Sequence, residues 1–585
     1  MTTSSYGWTG SVLHIDLTRR TWRTEHPDPE TYRVWIGGRG MAGHYLRPHC
    51  TLSWDDPSMP VLLFAGPLAG TDAPASARGC IMSRSPLTGA VGDSSFGGRF
   101  AVELKRAGWD GVVVTGRANA LVGIHVSNRE VWIEEAAPLR EATTDLVFDA
   151  VEAMMPGAGV ACIGPAAENG SRVAAVMVDR YHAAARCGLG LSLAAKNCKY
   201  LAVRGSGAVA VRDPGALREA REDILRLTAA SPVLQGQHGI SRWGTGALFD
   251  LMDSRRMMPT DNFRRTRFMR AGKLNAPAYG KQYEPHGHGC AGCHIRCKRI
   301  VSDGRALPGF EAMSHFTALL GNADMETVME ANELCAQLGL DPVSAGATLA
   351  CKRELSGEDY TRETLLEALG EMALGSTLGQ GARHFAKTCG IPEASMDVKG
   401  LELPACDPRG AYGLALAYAV NTRGGCHQRA YPLSHEILRK PVATDRFSFS
   451  GKARIIKIAE DTLAAVDSLA VCRLLFLAAS LEEYTKAYNA VTGEEISGND
   501  LLRAGERICY NERIMNSLNG FSARDDDLPL RFFEEGGYSG GGVDIRPLDR
   551  EGFLRARERY YRIRGLDDEG RPTREKTKEL GLEES

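Results

Sequence analysis

Three thiols within eight residues constrain this chain more than any other feature: His286-Gly-His-Gly-Cys290-Ala-Gly-Cys293-His-Ile-Arg-Cys297. Thiolates this close can grip one metal centre with little long-range folding, and the C-x2-C-x3-C spacing leaves one ligand to come from elsewhere in the chain. A cubane iron–sulfur cluster needs four such ligands. Zinc fits the motif equally well, because Cys3His sites are common and His286, His288 and His294 stand beside the thiols. On spacing alone the two metals are level, with a smaller share left to cysteines that bind nothing.

The rest of the chain limits the setting. Its 585 residues exceed what one core organises, so roughly three or four domains are expected. A formal net charge of -2 and the lack of a basic stripe or basic amphipathic helix point away from nucleic acid and from a membrane surface. Residues 1–17 lack a basic segment followed by an apolar one, and no run is apolar enough to span a bilayer. A cytoplasmic protein without a membrane span is therefore expected. Fifteen scattered cysteines in such a chain imply reduced thiols rather than a disulfide framework. The one compositional excess is glycine, 65 residues gathered in turns such as Gly37-Gly38-Arg39-Gly40 and Gly97-Gly98. Turns of this kind suit close backbone approach or positive φ.

Short β-branched or apolar runs at 12–17, 61–64, 112–115 and 121–126 read as strands. Past about residue 208 the period becomes helical. Asp324 is placed to cap a helix that Gly339 ends, and helices are also expected over 362–373, 455–465 and 500–518. Residues 567–585 read as a surface helix or a frayed tail. The expected class is α+β: a β-rich domain over 1–208, then two mainly helical domains over 209–405 and 406–585, with a cofactor at their interface.

Many segments, in one order, carry a resemblance that covers nearly the whole chain. They include Gly37-Gly-Arg-Gly-Met, Phe64-Ala-Gly-Pro-Leu-Ala-Gly-Thr, Ser85-Pro-Leu-Thr-Gly, Phe96-Gly-Gly-Arg-Phe, Lys105-Arg-Ala-Gly-Trp-Asp-Gly, Gly164-Pro-Ala-Ala-Glu-Asn, Asp407-Pro-Arg-Gly and Gly520-Phe-Ser-Ala-Arg-Asp-Asp-Asp. The sequence resembles the tungsten- or molybdenum-dependent aldehyde ferredoxin oxidoreductases. The resemblance implies a [4Fe-4S] cluster on Cys290, Cys293, Cys297 and the late Cys472, and a metal held by two pyranopterin dithiolenes, with Mg2+ bridging the pterin phosphates. It also implies that Arg78 sits between cluster and pterin, and that Asp341 and Asp467 bind the pterins. Asp341, before Pro342, reads equally well as a helix cap. Ser94, Ser95 and Gly97 around Phe96-Gly-Gly, and Arg186, Gly188, Gly190, Lys196 and Asn197 in the following loop, are the further expected cofactor contacts. Ala185, Cys187 and Ala194, and Ala470 before Cys472, replace residues that are usually glycine in the family.

The same resemblance points to His427, in Asn421-Thr-Arg-Gly-Gly-Cys426-His427, and Glu311 as the proton-handling pair. An imidazole and a buried carboxyl are suited to that work near neutrality. The implied activity is oxidation of aldehydes to carboxylic acids, with electrons leaving through the cluster to ferredoxin or a small iron–sulfur subunit. A homodimer or hetero-oligomer is expected. The alternative on the same scaffold is the catalytic subunit of an ATP-independent benzoyl-CoA-type reductase, acting on an acyl-CoA. The non-enzyme alternative is a zinc-binding scaffold, against which the retained Arg78, Asp341, Asp467 and Cys472 argue.

Overall fold

The computed structural model describes residues 6–583, with Ser539 described as backbone only. Twelve strands occupy the first third: β1 Val12–Asp16, β2 Thr21–Glu25, β3 Val61–Ala65, β4 Gly79–Arg84, β5 Val91–Phe96, β6 Gly111–Thr115, β7 Val122–Ser127, β8 Glu130–Glu135, β9 Gly159–Ile163, β10 Val176–Val178, β11 His182–Ala184 and β12 Cys198–Arg204. They form two six-stranded sheets, ordered β2-β1-β6-β3-β4-β5 and β11-β10-β9-β12-β7-β8. β3 and β9 are buried throughout, as continuous apolar runs covered on both faces should be. β8 alternates between exposed and partly buried residues and forms an edge.

From Pro214 onward the chain is mainly helical. Asp324 caps Met325–Leu338 by accepting from the amides of Glu326 and Thr327, and Gly339 ends the helix in the left-handed region. Arg362–Ala373 matches its expected bounds; the other two expected helices are longer, Lys452–Leu469 and Gly498–Leu518. A small hairpin, His286–His288 paired with Lys298–Ile300, was not evident from the sequence and clamps both ends of the cysteine loop. The tail is held more firmly than expected. It carries one short helix, Arg574–Glu579, after which Leu580 and Leu582 are buried and the Leu582 carbonyl accepts from Arg47.

The sheets and the late helices are joined by close backbone contact. A Cβ on Gly38 would lie 2.3 Å from the Asp467 carbonyl oxygen, and Gly38 has positive φ as well. The glycine-rich turn that sequence assigned to close approach therefore presses on the end of Lys452–Leu469. Together with Gly66 after β3 and the 75–78 segment that leads into β4, that contact fixes the Asp467–Cys472 segment.

Candidate redox site

The site has two ends. At the first, Cys472 leaves the Lys452–Leu469 helix through Ala470, whose φ of 63° keeps the left-handed turn that glycine would favour. The Cys472 amide donates to the Ala75 carbonyl (3.0 Å) and the Arg78 amide to the Ala470 carbonyl (3.3 Å), fastening the two segments together. Burial raises all the thiols that shift here: Cys293 to about 12, Cys297 to about 11, and Cys472 upward, with repulsion among the thiols adding to it. Cys293, Cys297 and Cys472, held this way, favour a bound cationic centre that would let them ionise. Among the described residues no three His, Cys, Asp or Glu side chains are drawn in around a single-ion position.

Arg78 faces these thiols. Its Nε donates to the Ser95 hydroxyl and its Nη2 to the Ser95 carbonyl, both at 2.9 Å, which ties the guanidinium to β5. Burial alone would lower its pKa, but Cys472, Cys290 and Asp467 raise it on balance. On the other side His182, buried on β11, brings Nε2 to 3.5 Å from the Cys290 sulfur. A Cβ on Gly97 would stand 2.5 Å from that sulfur and 3.0 Å from the His182 ring, so only glycine leaves room for the contact.

The second end holds Glu311, in the first turn of Phe310–Phe316, and His427, in the loop after Tyr412–Val420. His427 Nε2 lies 3.4 Å from Glu311 Oε1, and the Ala405 amide donates to Oε2 at 2.7 Å. Burial pushes Glu311 up to about 7. It also pulls His427 down to about 3, helped by Arg186, Arg423 and Arg473, so the imidazole is neutral. The two side chains keep only 17% and 24% exposure, His427 and Glu311 respectively.

Between the ends, buried arginines outnumber the means to satisfy them. Arg39 makes a two-pronged bond to Glu512 (2.7 and 2.8 Å), Arg473 grips Asp467 (2.8 and 2.5 Å), and Arg429 pairs with Asp93. Arg423 donates to the Asp93 carbonyl and to the Cys426 sulfur, both at 2.7 Å. Even so, Arg39 Nη1, Arg186 Nε, Arg423 Nε and Arg429 Nε and Nη1 are buried without a hydrogen bond. Arg186 Nε has Asp341 at 3.3 Å, and Arg39 Nη1 and Arg429 Nη1 have Asp467 at 3.6 and 3.9 Å, ion-pair contacts that leave their hydrogen-bonding capacity unused. Of these arginines only Arg186 and Arg423 line the cavity, where they suit an anionic, hydrogen-bonding cofactor such as a phosphorylated pterin; Arg39 and Arg429 face Asp467 behind the wall.

A single cavity of about 1930 Å³ takes in both ends: Arg78, Cys297 and Cys472; Ser94, Ser95, Arg186 and Asp341; and Glu311 with His427. Asp341 caps Pro342–Ser356, as its place before Pro342 suggested, and also lines the cavity. Asp467 lies behind the wall, inside the arginine network, and Gly97 lies against Cys290. Of the residues expected as cofactor contacts in the 186–197 loop, Arg186 is the one that lines the cavity. Gly188 and Gly190 are spent on close packing, against the Arg172 and Ala175 carbonyls. Lys196 donates to Pro57 and Asn197 to Ala118, so both bind loops of the sheet domain.

Sequence reasoning passed over Arg39, Arg423, Arg429, Arg473, Glu512, Cys426 and His182. Arg39, Arg423 and Arg429 lay inside motifs read for their neighbours. Glu512 gave no signal, because its helix shows ordinary amphipathic spacing.

Fold and site together define a redox protein built around a buried anion-binding cavity. Residues 12–205 match the aldehyde ferredoxin oxidoreductase N-terminal domain and residues 219–582 match domains 2 and 3 of the same enzymes. Tungsten-containing aldehyde ferredoxin oxidoreductases of Pyrococcus furiosus and Thermococcus kodakarensis are 32% and 33% identical, each alignment covering 99% of this chain and 100% of the relative. An aliphatic sulfonate oxidoreductase WOR-like subunit of Pyrococcus furiosus is 25% identical over 99% of this chain and 98% of its own. In three dimensions the chain is similar to the active site complex BamBC of benzoyl coenzyme A reductase, with a TM-score of 0.85 at 21% identity, covering 99% of this chain and 97% of that one. The chain belongs to the aldehyde ferredoxin oxidoreductase family, and it is an oxidoreductase of that family. The family implies a tungsten–pterin cofactor, and Arg186 and Arg423 on the cavity wall fit one. Among the described residues no helix is long and apolar enough to cross a membrane.

Proposed function

We propose that this chain oxidises aldehydes to carboxylic acids at a tungsten bis-pyranopterin, and passes the electrons through a [4Fe-4S] cluster to ferredoxin or a small iron–sulfur subunit. The observation that carries this reading is the single cavity with a carboxyl–imidazole pair at one end and thiols with a fixed cation at the other. When bound, the pterin-held metal would supply a two-electron acceptor. Arg186, Arg423 and the Ser94–Ser95 segment would hold the pterins, with Mg2+ between their phosphates. Cys290, Cys293, Cys297 and Cys472 would hold the cluster.

The reaction consumes water and releases two protons with two electrons. Glu311, near half-ionised at neutrality, takes a proton at Oε1 or Oε2 from the attacking water. His427, neutral and carrying one N–H, orients the aldehyde oxygen and shares the proton across the 3.4 Å contact. On the cluster side Ala291 and Gly292 are exposed, which suits the approach of a partner.

Anaerobically purified protein tests this directly. About four irons with sulfide and one tungsten or molybdenum per chain, together with aldehyde-dependent reduction of a viologen dye, are expected. Zinc without sulfide overturns the redox reading. Reduction of benzoyl-CoA with no aldehyde oxidation overturns the substrate and favours the acyl-CoA reductase alternative.

A further inference from the structure

Glu402 is a buried carboxyl that the reaction above does not use. It ends the short strand Leu401–Glu402 at 0% exposure. Oε1 accepts from the Ala382 amide at 3.0 Å, and Oε2 lies 2.7 Å from the Ser344 hydroxyl. That same hydroxyl lies 2.8 Å from Asp341 Oδ2, and Ser344 and Asp341 are buried as well. One hydroxyl thus stands between two carboxyls at hydrogen-bonding distance. A serine hydroxyl carries one hydrogen, and ionised carboxylates only accept. With both carboxyls ionised, one of the two contacts would hold no hydrogen and would face anion to lone pair in a dry interior. The geometry requires one further proton.

The surroundings decide where that proton rests. Asp341 has the Arg186 cation, through Nε, at 3.3 Å and accepts from the Val343 amide (3.0 Å) at the start of its helix, so it already faces a positive charge and a second donor. Arg186 serves Glu402 only at its backbone carbonyl, by Nη2 at 2.7 Å. Arg186 and Asp341 are the charged groups that face the Glu402 carboxyl; the helix Ala382–Thr388 offers it a backbone amide alone. Glu402 therefore holds the proton and donates to Ser344, which donates to Asp341. Its burial pushes the carboxyl up to about 7, in the same sense.

We propose that Glu402, Ser344 and Asp341 form a two-position proton wire, with the proton resting on Glu402 and passing through Ser344 to Asp341 at the cavity wall when negative charge builds up in the cavity. In that shift the Glu402 O–H bond breaks, Ser344 exchanges one hydrogen for another, and an O–H bond forms on Asp341. No electron moves and net charge is unchanged, but a positive charge comes nearer the cavity. The resting proton is independent of any cofactor. Its movement rests on the proposed function, in which reduction supplies the negative charge.

Glu402→Gln keeps both bonds, since the amide oxygen accepts from Ala382 and the amide N–H donates to Ser344, yet it carries no mobile proton. Infrared difference spectra of the apoprotein near pH 6, taken in a Glu311→Gln background with and without Glu402→Gln, should show a protonated-carboxyl component that Glu402→Gln removes, the other buried carboxyls cancelling in the difference. Identical bands with and without Glu402→Gln overturn the resting proton. In the loaded protein, chemical reduction without aldehyde should shift this band from a glutamic to an aspartic acid position, and Ser344→Ala should abolish the shift. A shift that survives Ser344→Ala, or no shift on reduction, overturns the wire. Neither reading uses substrate turnover, so failure of the aldehyde assay and failure of the wire are separate results.

Discussion

The two ends of the cavity are built in opposite ways. At the thiol end three cysteines come from one eight-residue segment closed by a small hairpin, and only Cys472 arrives from afar. The segment lies near the surface, where Ala291 and Gly292 are exposed. The carboxyl–imidazole end is assembled from residues 186, 311, 341 and 423–429, which come together only in the folded chain, and its charges are unsettled by burial. Glu311 is pushed up while His427 is pushed down. An electron outlet needs nearness to a partner, whereas proton chemistry needs titratable groups kept from bulk water. The first can be local in sequence; the second is a product of the whole fold.

The largest effect should come from breaking the one long-range link at the thiol end. Cys472→Ser is expected to take iron from about four per chain to near none and to abolish dye-linked turnover. The fold should persist, because the backbone bond from residue 472 to Ala75 remains. Full iron with an unchanged electron-paramagnetic signal would show that the four thiols do not act as one set.

At the other end, Glu311→Gln and His427→Asn should each lower turnover by about 10²–10⁴-fold, with iron and tungsten loads intact. Undiminished turnover at full load would remove the pair from the chemistry. The comparison sharpens with pH. If ionised Glu311 is the base, wild-type turnover rises as pH passes about 7, and the residual rate of Glu311→Gln does not. His427, pulled to about 3, adds no further limb above pH 5. Stability runs the other way. The folded-state pKa of Glu311 exceeds its unfolded value, so its stabilising contribution is fully present below the ordinary carboxyl range and is lost as pH rises through about 7. The melting temperature of the apoprotein Glu311→Gln variant should therefore gain on wild type between pH 5 and pH 8.

The same contrast explains what the sequence made legible. Strands such as β3 and helices such as Met325–Leu338 follow from apolar runs, a capping Asp324 and a terminating Gly339, all local signals. The thiol trio is local too. The arginine network is not, because Arg39 and Glu512 are far apart in the chain and each looks like an ordinary charged residue until burial pairs them. Likewise Gly188 and Lys196 carry residue types that suit cofactor binding, and only the packing of their loop shows that they serve the Arg172 and Pro57 carbonyls. Glu402 gave no signal at all, since its proton is implied by two distances to one hydroxyl.

The smallest effect tests whether the thiol end is as local as it looks. His182 lies over a hundred residues before Cys290, yet its Nε2 approaches that sulfur at 3.5 Å while Nδ1 is buried without a hydrogen bond. Burial, together with Lys298 and Arg78, holds the ring well below its ordinary pKa, so it is neutral and carries one N–H. If Cys290 holds the cluster its sulfur can only accept, and His182 with its hydrogen on Nε2 would donate to it. Hydrogen bonds to cluster sulfurs stabilise the more negative, reduced state and so help set the potential. His182→Leu should leave iron content and fold unchanged while the cluster midpoint moves to a more negative value in an anaerobic titration. An unmoved midpoint would confine control of the cluster to its own loop and Arg78. The expected shift would make even the most local feature of the sequence depend on a strand from the opposite sheet.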